Sequence, residues 1–443
     1  MGRLFGTDGI RGVANVDLRP PMAYALGRAT AKRLAEPGAA IVVGQDTRRS
    51  GDMFVAAIVA GATSLGVDVH VVGVVPTPAL AFLAKSGPYR AGIMVSASHN
   101  PADDNGLKVL DADGLKLDDS VEDELEDLIW REAELGGVAN AALGRRIDAA
   151  DTIETYLEHR RGLAGSIDAS GLHIVLDGAN GSGGLAGREI LAATGARVDT
   201  ISVEPDGVNI NVESGATSPG ALAKAVAERG ADVGFALDGD ADRLIAVDGQ
   251  GNIVDGDQVL GILALERLTR DALPGGLVVS ILSNGGLQSA VEAAGGEVVR
   301  TPVGDKYILE GMQVSGAMLG GEKSGHVIVL EHTTSGDGIV TALEVLRVMT
   351  TRTASLATLA EAIPLLPQQQ RAVRARHKDQ WEGDPTLRRA IADATTRLGA
   401  SGRVLVRPSG TEPALRVMVE GPDEALVAEL ADALATLAGE RLN

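Results

Sequence analysis

The feature that most constrains the fold is a regular alternation of two kinds of segment along the chain. Short runs of Val, Ile and Leu, such as "AAIVVGQD" and "LHIVLDGA", alternate with Ala-, Leu- and Glu-rich stretches of helical period, such as residues 54–65 and 219–229. This alternation is typical of α/β units with parallel strands. The sequence therefore predicts the α/β fold class.

The same plan occurs three times, and each copy contains a late strand that runs into a polar loop. The strand candidates are "AAIVVGQD", "VDVHVVGVV" and "AGIMVSAS" in the first copy, "LHIVLDGA", "RVDTISV", "ADVGFALDGD" and "RLIAVD" in the second, and "GLVVSILSN", "EVVRTPVG", "GAMLGGE" and "HVIVLEH" in the third. The polar loops are "SASHNP" (96–101), "DGDADR" (238–243) and "GGEKSGH" (320–326). Ligands on α/β sheets bind beyond the carboxyl ends of the strands, so we expect the three loops to converge on one cleft.

The last part of the chain follows a different plan. The segment "LLPQQQ" (365–370) has the composition of a linker. A helix is predicted over 384–398, then two β runs around the polar turn of "RVLVRPSGTEPALRVMVEG", then a helix from 423. This order predicts a small α+β domain. The predicted domains are 1–150, 151–252 and 253–368, three similar α/β domains, and 369–443, the α+β domain.

Composition and charge exclude several functional classes. The chain has 443 residues and a net charge of -20, which argues against bulk electrostatic binding of nucleic acid or of an anionic membrane. The acidity is most simply explained by solubility, and an anionic substrate would need a local cluster of Arg and Lys. The chain has no cysteine, which excludes disulfides, thiolate zinc sites and cysteine nucleophiles. With no apolar signal core and no run of membrane-spanning length, a cytoplasmic protein is expected.

The loop "DGDADR" carries three alternating carboxylates, Asp238, Asp240 and Asp242. Carboxylates this close repel one another unless a cation neutralises them, and ligation by oxygen alone suits Mg²⁺. An EF-hand is excluded, because Arg243 and Gly249 stand where that motif needs Gly and Glu. The alternative is a solvated acidic turn. Because the loop follows the apolar run "VGFAL", metal binding is favoured.

Ser98 lies where the apolar run "IMV" gives way to a polar loop. A serine hydroxyl is a poor nucleophile without help, and neither a triad order nor a G-x-S-x-G motif is present here. On local grounds Ser98 fits a helix cap or a turn equally well. A metal loop and Lys108 in "DNGLK" favour a phosphoryl-transfer site instead.

Two further loops have the composition of ligand-binding turns. "RPSGTEP" (407–413) offers Arg407, hydroxyls and free backbone N–H groups that can wrap a phosphate, and Arg416 adds a second positive charge. The alternative is a decorated hairpin turn. "GGEKSGH" presents Glu322 and Ser324, which suit the vicinal hydroxyls of a sugar, and does not match a P-loop. Its alternative is a strand connection with a capping serine.

A dinucleotide-binding pattern also occurs. G-x-G-x-x-A at 181–186 follows a strand, and Glu204 lies about twenty residues further on. Four residues, 178–181, follow the strand's Asp177 before the pattern is under way. A tight packing turn between strand and helix is the better explanation, so an NAD-dependent oxidoreductase is disfavoured.

The four motifs together resemble a known family. "SASHNP", "DGDADR", "GExSGH" and "RPSGTEP" occur in this order in the α-D-phosphohexomutase superfamily, and the resemblance spans essentially the whole chain. The opening "GRLFGTDGIRGVAN" looks like that of the phosphoglucosamine mutases in particular. The resemblance implies four domains around a central active-site cleft. It also implies interconversion of glucosamine 6-phosphate and glucosamine 1-phosphate, which feeds UDP-N-acetylglucosamine and peptidoglycan synthesis.

The resemblance assigns a role to each motif. Ser98 would be the phosphoserine and would pass its phosphoryl group to the sugar phosphate. The intermediate would be glucosamine 1,6-bisphosphate, and this compound or glucose 1,6-bisphosphate would prime the enzyme. The implied residue sets are Ser98, Asp238, Asp240 and Asp242 for Mg²⁺, Glu322 and Ser324 for the sugar, Arg407, Ser409, Gly410, Thr411 and Arg416 for the distal phosphate, Lys108 and His99 for proton handling, and Arg11 and Arg243 for the reacting phosphoryl group.

Other functions remain as alternatives. A phosphomannomutase or phosphoglucomutase would use the same machinery, but the opening motif disfavours it. A non-enzymatic sugar-phosphate sensor would not need Ser98 beside three metal carboxylates. Lys323 stands where members of the family more often carry Gln, which bears on sugar preference. A homodimer is compatible with the sequence, which does not determine the oligomeric state.

Overall fold

The structure is a computed structural model that describes residues 4–6, 8–409 and 413–443. The chain divides into two compact units. The larger unit comprises Met1–Leu282 and Ala294–Ala362, and the smaller one comprises Ser283–Ala293 and Ile363–Asn443. Each unit is described separately below.

The larger unit begins with a six-stranded sheet in the order β1-β5-β4-β2-β3-β6. Its elements are β1 (Ile10–Val13), α1 (Pro20–Leu34), β2 (Ala40–Gln45), α2 (Gly51–Thr63), β3 (Asp68–Val74), α3 (Thr77–Ser86), β4 (Tyr89–Val95), β5 (Asp104–Leu110), α4 (Asp119–Trp130) and β6 (Arg146–Asp148). The strands β2, β3, β4 and β6 run parallel, whereas β5 is antiparallel to β4 and β1. Ile41, Val43, Ile93 and Val95 are fully buried in its core.

The second sheet has five strands in the order β11-β10-β9-β7-β8. Its elements are α5 (Ile153–Ala164), β7 (His173–Asp177), α6 (Gly184–Ala192), β8 (Arg197–Ile201), α7 (Gly220–Arg229), β9 (Val233–Leu237), β10 (Leu244–Asp248) and β11 (Ile253–Val254). The third sheet has four strands in the order β13-β12-β14-β15. This part comprises α8 (Gly256–Leu268), β12 (Leu277–Ser280), β13 (Val298–Thr301), α10 (Asp305–Ser315), β14 (Leu319–Gly321), β15 (Val327–Val329), α11 (Gly338–Arg352) and α12 (Leu356–Ala360). Between β12 and β13 the chain forms α9 (Gly285–Ala293), which belongs to the smaller unit.

The three sheets share one topology, which confirms the predicted threefold plan. In each, three parallel strands are ordered second-first-third, and a fourth strand returns antiparallel to the third. The loop between the third and fourth strands carries the polar motif in all three copies: it joins β4 to β5, β9 to β10, and β14 to β15. Because the third strand is a parallel strand, each motif lies at the carboxyl end of its sheet.

The smaller unit is built on a three-stranded antiparallel sheet in the order β16-β18-β17. Besides α9, its elements are β16 (Gln368–Arg374), α13 (Pro385–Leu398), β17 (Arg403–Pro408), β18 (Ala414–Glu420) and α14 (Glu424–Leu442). Short 3-10 helices in the described chain span Glu132–Glu134, Asn140–Ala142 and Ala150–Thr152 in the larger unit, and Lys378–Gly383 and Gly399–Ser401 in the smaller unit. The predicted α+β arrangement is confirmed.

The predicted linker over 365–370 is half wrong. Gln368 pairs with Glu420 in the sheet register and starts β16, so its second half is strand. The Gln368 amide also donates a hydrogen bond of 2.8 Å to the Glu420 carboxylate. Three consecutive glutamines carry no strand pattern of their own, and their conformation is set by β18.

Candidate active site

The Ser98 loop and the aspartate loop meet side chain to side chain. Ser98 Oγ donates a hydrogen bond of 2.5 Å to Asp238 Oδ2 and lies 3.3 Å from His99 Nδ1. The backbone of Ser98 has φ of 53°, in the left-handed region that non-glycine residues rarely adopt. Strained backbone of this kind is typical of functional positions. The hydroxyl is thus held at a fixed place beside the carboxylates.

The three aspartates form a buried oxygen cluster. One carboxylate oxygen each from Asp238, Asp240 and Asp242 lies within 4.8 Å of the others. Asp240 Oδ1 and Asp242 Oδ1 are buried and, within the described parts of the chain, have no hydrogen-bond partner. Burial, followed by the two neighbouring carboxylates, raises the pKa of Asp238 well above its ordinary value. A bound cation would offset this repulsion and use the unpaired oxygens as ligands, so this donor set fits Mg²⁺.

Close glycine packing fixes where the aspartate loop lies. A Cβ on Gly239 would come within 2.6 Å of the carbonyl oxygen of Ser98. Behind it, a Cβ on Gly181 would lie 2.4 Å from Gly239 O, and one on Gly183 would lie 2.4 Å from Ala241 Cβ. The glycines of the dinucleotide-like pattern are therefore explained by packing, although the sequence analysis expected that packing between strand and helix and the structure places it against the aspartate loop.

Lys108 is locked in its protonated form. Its Nζ is 2.8 Å from Asp240 Oδ2, 3.2 Å from Asp8 Oδ2 and 3.9 Å from Asp242 Oδ2. Burial alone would lower the pKa of Lys108, but the three carboxylates outweigh it and the pKa is raised. A lysine held in this way can donate hydrogen bonds and positive charge, and it is poorly suited to accept a proton.

His99 has the opposite electrostatic environment. Burial, followed by the positive charges of Arg243 and Arg11, lowers the pKa of His99 to about 4. The imidazole is therefore neutral near pH 7, and its Nδ1 faces the Ser98 hydroxyl at 3.3 Å. Of the two predicted proton-handling residues, His99 is in the state that can receive a proton.

Two arginines line the same region with unused donors. Arg11 Nη1 donates to Asn100 Oδ1 at 3.1 Å and its Nη2 donates to Asp8. Arg243 Nε lies 3.8 Å from Asp242 Oδ1, which is too long for a hydrogen bond. The Nε atoms of both arginines are buried without a hydrogen-bond partner among the described residues. Unpaired buried donors of this kind suit an anionic ligand such as a phosphoryl group.

The third loop contacts the aspartate loop through the backbone. Arg243 and His326 form an isolated antiparallel bridge, and Leu244 N donates to Gly325 O at 3.0 Å. Ser324 Oγ is buried without a hydrogen-bond partner among the described residues. Glu322 Oε1 accepts a hydrogen bond of 3.0 Å from Gly304 N, which fixes the carboxylate. The structure thus brings together all three predicted loops.

Lys323 belongs to this loop but has an acidic neighbour outside it. Its Nζ lies 3.8 Å from Asp255 Oδ2, and Asp255 caps the start of α8. Burial is the main cause of the raised pKa of Asp255, and Lys323 acts in the opposite direction. The extra charge that the sequence placed beside the sugar loop therefore lies next to a carboxylate.

The residues that hold the Ser98 loop were missed by the sequence analysis. The side chain of Arg48 is fully buried, and its Nε lies 2.9 Å from Asp46 Oδ2. Its two Nη groups donate to four backbone carbonyls: Ser98 at 3.0 Å, Asn100 at 2.8 Å, Asp104 at 3.0 Å, and Pro101. The signal that could have revealed Arg48 is "GQDTRRSG", a polar run at the carboxyl end of β2.

Other supporting residues come from further along the chain. Asp46 also accepts a hydrogen bond of 2.7 Å from Ser96 Oγ. Asn211 Nδ2 donates to Ser98 O at 2.9 Å, and Thr77 Oγ1 donates to Asp240 Oδ2 at 2.6 Å. Asp8 contacts Lys108 from the N-terminal motif. None of these partners is adjacent in sequence to the residue that it holds.

The smaller unit carries the predicted phosphate-binding turn. Arg407 and Arg416 stand opposite each other in the register of β17 and β18. Ser409 is buried, and its carbonyl accepts a hydrogen bond from Lys378, which the sequence analysis did not select. Gly410 and Thr411 lie outside the described residues. Two arginines at directly opposed positions concentrate positive charge on one face of the sheet, which suits an anionic ligand.

Family models and solved structures assign this chain to the same family. Family models for all four domains of phosphoglucomutase/phosphomannomutase match this chain: alpha/beta/alpha domain I over residues 2–135, domain II over 154–251, domain III over 255–365 and the C-terminal domain over 370–437. A crystal structure of a phosphoglucomutase/phosphomannomutase family protein from Burkholderia thailandensis superimposes with a TM-score of 0.84 at 28% identity, covering 100% of this chain and 98% of that chain. The chain therefore belongs to the phosphoglucomutase/phosphomannomutase family of phosphohexomutases.

Curated relatives narrow the class further. The chain is 50% identical over 427 residues to the phosphoglucosamine mutase of Moorella thermoacetica, with 96% of both chains covered. It is 46% identical over 436 residues to the phosphoglucosamine mutase of Carboxydothermus hydrogenoformans, with 98% of both chains covered. Within the family, the similarity is thus to phosphoglucosamine mutases, as the opening motif predicted.

Proposed function

We propose that this chain is an isomerase that interconverts glucosamine 6-phosphate and glucosamine 1-phosphate through a phosphoserine at Ser98. The observation that carries this proposal is the contact of 2.5 Å between Ser98 Oγ and Asp238 inside a buried carboxylate cluster. A capping or turn serine would have no reason to face a cation site. The identity of 50% to a phosphoglucosamine mutase supports the amino sugar as substrate.

The chemistry is a pair of phosphoryl transfers. A hydroxyl oxygen of the bound sugar phosphate forms a bond to phosphorus, while the bond between Ser98 Oγ and phosphorus breaks. The product of this step is a 1,6-bisphosphate, and the hydroxyl proton passes to a base. Ser98 Oγ takes up a proton as its bond to phosphorus breaks, so the step is balanced. The attacking hydroxyl lies on the far side of phosphorus in an in-line transfer, and His99, 3.3 Å from Ser98 Oγ, lies beside the leaving oxygen. The second transfer runs in reverse from the other phosphate of the intermediate.

The cationic residues hold the transferring group. Lys108, fixed in its protonated form, and the unpaired Nε donors of Arg11 and Arg243 bind the non-bridging phosphoryl oxygens. Asp238, Asp240, Asp242 and the phosphate on Ser98 would hold Mg²⁺. When bound, the cation neutralises charge on the phosphoryl oxygens and on the aspartates. Positive charge is thereby concentrated at one site of a chain whose net charge is -20.

The substrate residues follow from their motifs. Glu322, held by Gly304 N, and Ser324, with its unpaired hydroxyl, bind the sugar hydroxyls. The distal phosphate binds in the turn of the smaller unit, at Arg407, Ser409, Gly410, Thr411 and Arg416. A polar substrate with one phosphate at each end of the intermediate needs both kinds of group.

Several wider expectations accompany the proposal. Glucosamine 1,6-bisphosphate or glucose 1,6-bisphosphate primes Ser98, and the product feeds UDP-N-acetylglucosamine and peptidoglycan precursors. No helix among the described residues is long and apolar enough to cross a membrane. A cytoplasmic location, a homodimer and the absence of nucleic-acid partners stay predictions.

The experiment compares glucosamine 1-phosphate, glucose 1-phosphate and mannose 1-phosphate side by side, with Mg²⁺ and a priming bisphosphate. Ser98→Ala is the control for the phosphoserine. We expect preference for the amino sugar and loss of turnover in Ser98→Ala. A preference for glucose or mannose would reassign the substrate and direct attention to Lys323. Full turnover by Ser98→Ala would overturn the mechanism.

A further inference from the structure

Six charged or polar side chains form a closed ring of contacts beside the proposed active site. Lys116 Nζ contacts both Asp8 Oδ1 and Asp305 Oδ2. The ring continues from Asp8 to Lys108 at 3.2 Å, and from Lys108 to Asp242 at 3.9 Å. It closes through His326, whose Nδ1 lies 3.6 Å from Asp242. His326 Nε2 accepts a hydrogen bond of 3.1 Å from Gly336 N and lies 3.8 Å from Asp305, which is a close approach and not a hydrogen bond. Carboxylates alternate with nitrogen groups all the way round.

The ring joins elements that are far apart in sequence. Asp8 belongs to the N-terminal motif and Lys108 to β5, while Asp242 lies in the aspartate loop. His326 is the last residue of the loop over 320–326, and Asp305 is the first residue of α10. Lys116 is the member that holds both Asp8 and Asp305, which are otherwise separated. The position of Lys116 therefore affects both Asp8 and Asp305.

The backbone around Lys116 is built to keep it in place. Lys116 forms an isolated bridge with Leu110, so the residues between them make a tight hairpin. Asp111 Oδ1 accepts hydrogen bonds of 2.9 Å from Asp113 N and Leu115 N inside that hairpin. Gly114 has φ of 72°, and a Cβ there would lie 2.2 Å from the carbonyl oxygen of Ala81. A side chain that starts from such a fixed hairpin loses little freedom on pairing.

We propose that Lys116 is a positioning residue for the reaction, and this rests on the proposed mutase function. Lys116 occupies Asp8 Oδ1 and so leaves Asp8 Oδ2 to face Lys108. At the other end it holds Asp305 beside His326, which contacts the metal ligand Asp242. Without Lys116, Asp8 keeps Arg11 at Oδ2 but loses the cation at Oδ1, so its carboxylate is no longer fixed from both sides beside Lys108. In this role Lys116 acts through Asp8 and Asp305 and does not itself contact the transferring phosphoryl group.

A second ion pair provides a matched control. Lys306 Nζ contacts Asp119 Oδ1 at 2.7 Å, and these residues lie at the starts of α10 and α4. This pair links the same two parts of the fold as Lys116 and Asp305, but it is outside the ring. The side chain of Asp119 is 58% exposed, so Asp119→Asn should leave the fold intact. A general loosening of this region would affect both variants.

The experiment measures kcat and KM of Lys116→Met, Lys116→Arg, Asp305→Asn and Asp119→Asn with glucosamine 1-phosphate. Lys116→Met should lower kcat about 100-fold with KM changed less than about threefold. The reason is that Lys108 is displaced from the transferring phosphoryl group, while the contacts that bind the ground-state sugar are unchanged. Lys116→Arg should retain at least about a tenth of kcat, since it keeps the charge. Asp305→Asn should lower kcat about tenfold, and Asp119→Asn should stay within about twofold of the parent.

A double-mutant cycle separates positioning from a structural effect. Because Lys116 acts partly through Lys108, Lys116→Met should lower kcat by at most about tenfold in a Lys108→Met background, which is the part carried by Asp305 and His326. Independent effects that multiply would overturn the proposal, as would equal losses in Lys116→Met and Asp119→Asn. If Lys116→Met does not fold, Asp305→Asn and Lys116→Arg decide, and parental kcat in Asp305→Asn would refute the ring. A parent enzyme with no mutase activity would instead refute the proposed function.

Discussion

Arg48 provides the sharpest stability prediction, because one buried side chain holds a whole functional loop. The change is Arg48→Met, which keeps most of the side-chain volume and removes all the donors. It leaves Asp46 buried with no cationic partner and four backbone carbonyls in the 98–104 segment without this donor. Removing one member of a buried ion pair costs about 3–5 kcal/mol. Ser98 O and Asn100 O still accept from Asn211 Nδ2, and Pro101 O still accepts from Asp104 N, so each of these three carbonyls adds less than the about 1–3 kcal/mol of an orphaned group.

The loop is therefore expected to open locally before the domain unfolds. A loss of about 3–5 kcal/mol corresponds to amide exchange that is faster by a factor of at least about 100. Hydrogen exchange read by mass spectrometry on peptides that cover 96–104 measures this directly. Turnover should fall by at least about 100-fold in parallel, since Ser98 no longer keeps its place beside Asp238.

The neighbouring residue supplies the control. Arg49 is exposed, and its Nη2 contacts Asp206 O at 3.4 Å. Arg49→Met should leave loop exchange and turnover within about twofold of the parent. Equal exchange rates in Arg48→Met and Arg49→Met would refute the argument that Arg48 supports the loop.

Three further predictions concern the aspartate loop. Gly239→Ala places a Cβ 2.6 Å from Ser98 O and should cost about 1–3 kcal/mol and most of the turnover, whereas Gly220→Ala, with nothing within 4 Å, should be neutral in urea titration and assay. Because burial and two neighbouring carboxylates raise the pKa of Asp238, the folded form binds this proton more tightly than the unfolded chain, and the contribution of Asp238 to stability falls as pH rises above about 4. Mg²⁺ should therefore raise Tm more at about pH 8 than at about pH 5 in scanning calorimetry, and an equal shift would contradict this sign. Asp240→Asn should abolish turnover with an unchanged circular dichroism spectrum, and loss of the spectrum would show a structural role instead.

The sequence was sufficient to predict the features that depend on local residue patterns, namely the strands, the helices and the polar loops at the strand ends. The Val/Ile/Leu runs and the polar strand ends predicted the three copies of the α/β plan, because a parallel strand exposes its carboxyl-end loop to ligands. The alternating carboxylates of the aspartate loop and the apolar run before them favoured a cation site over a solvated turn, and the buried oxygen cluster fits that prediction. The predicted helix over 219–229 agrees closely with α7, which spans Gly220–Arg229.

The supporting residues could not be predicted in this way. From sequence alone, an arginine such as Arg48 is expected at the surface. Arg48 is buried because its guanidinium donates to backbone carbonyls of residues 98–104. Lys116 and Asp305 are far apart in the sequence, and they meet because α10 begins beside the hairpin that follows β5. Such pairings depend on how domains pack, which periodicity and local propensity do not encode.

The central claim is that Ser98 carries the phosphoryl group during turnover. The most direct test labels the enzyme with radioactive phosphate from a sugar bisphosphate, locates the label by peptide mapping, and then adds unlabelled glucosamine 6-phosphate with Mg²⁺. The account predicts label on Ser98 that moves into the sugar bisphosphate at a rate at least equal to kcat. Label on another residue, or label that stays on Ser98 while product forms, would contradict it.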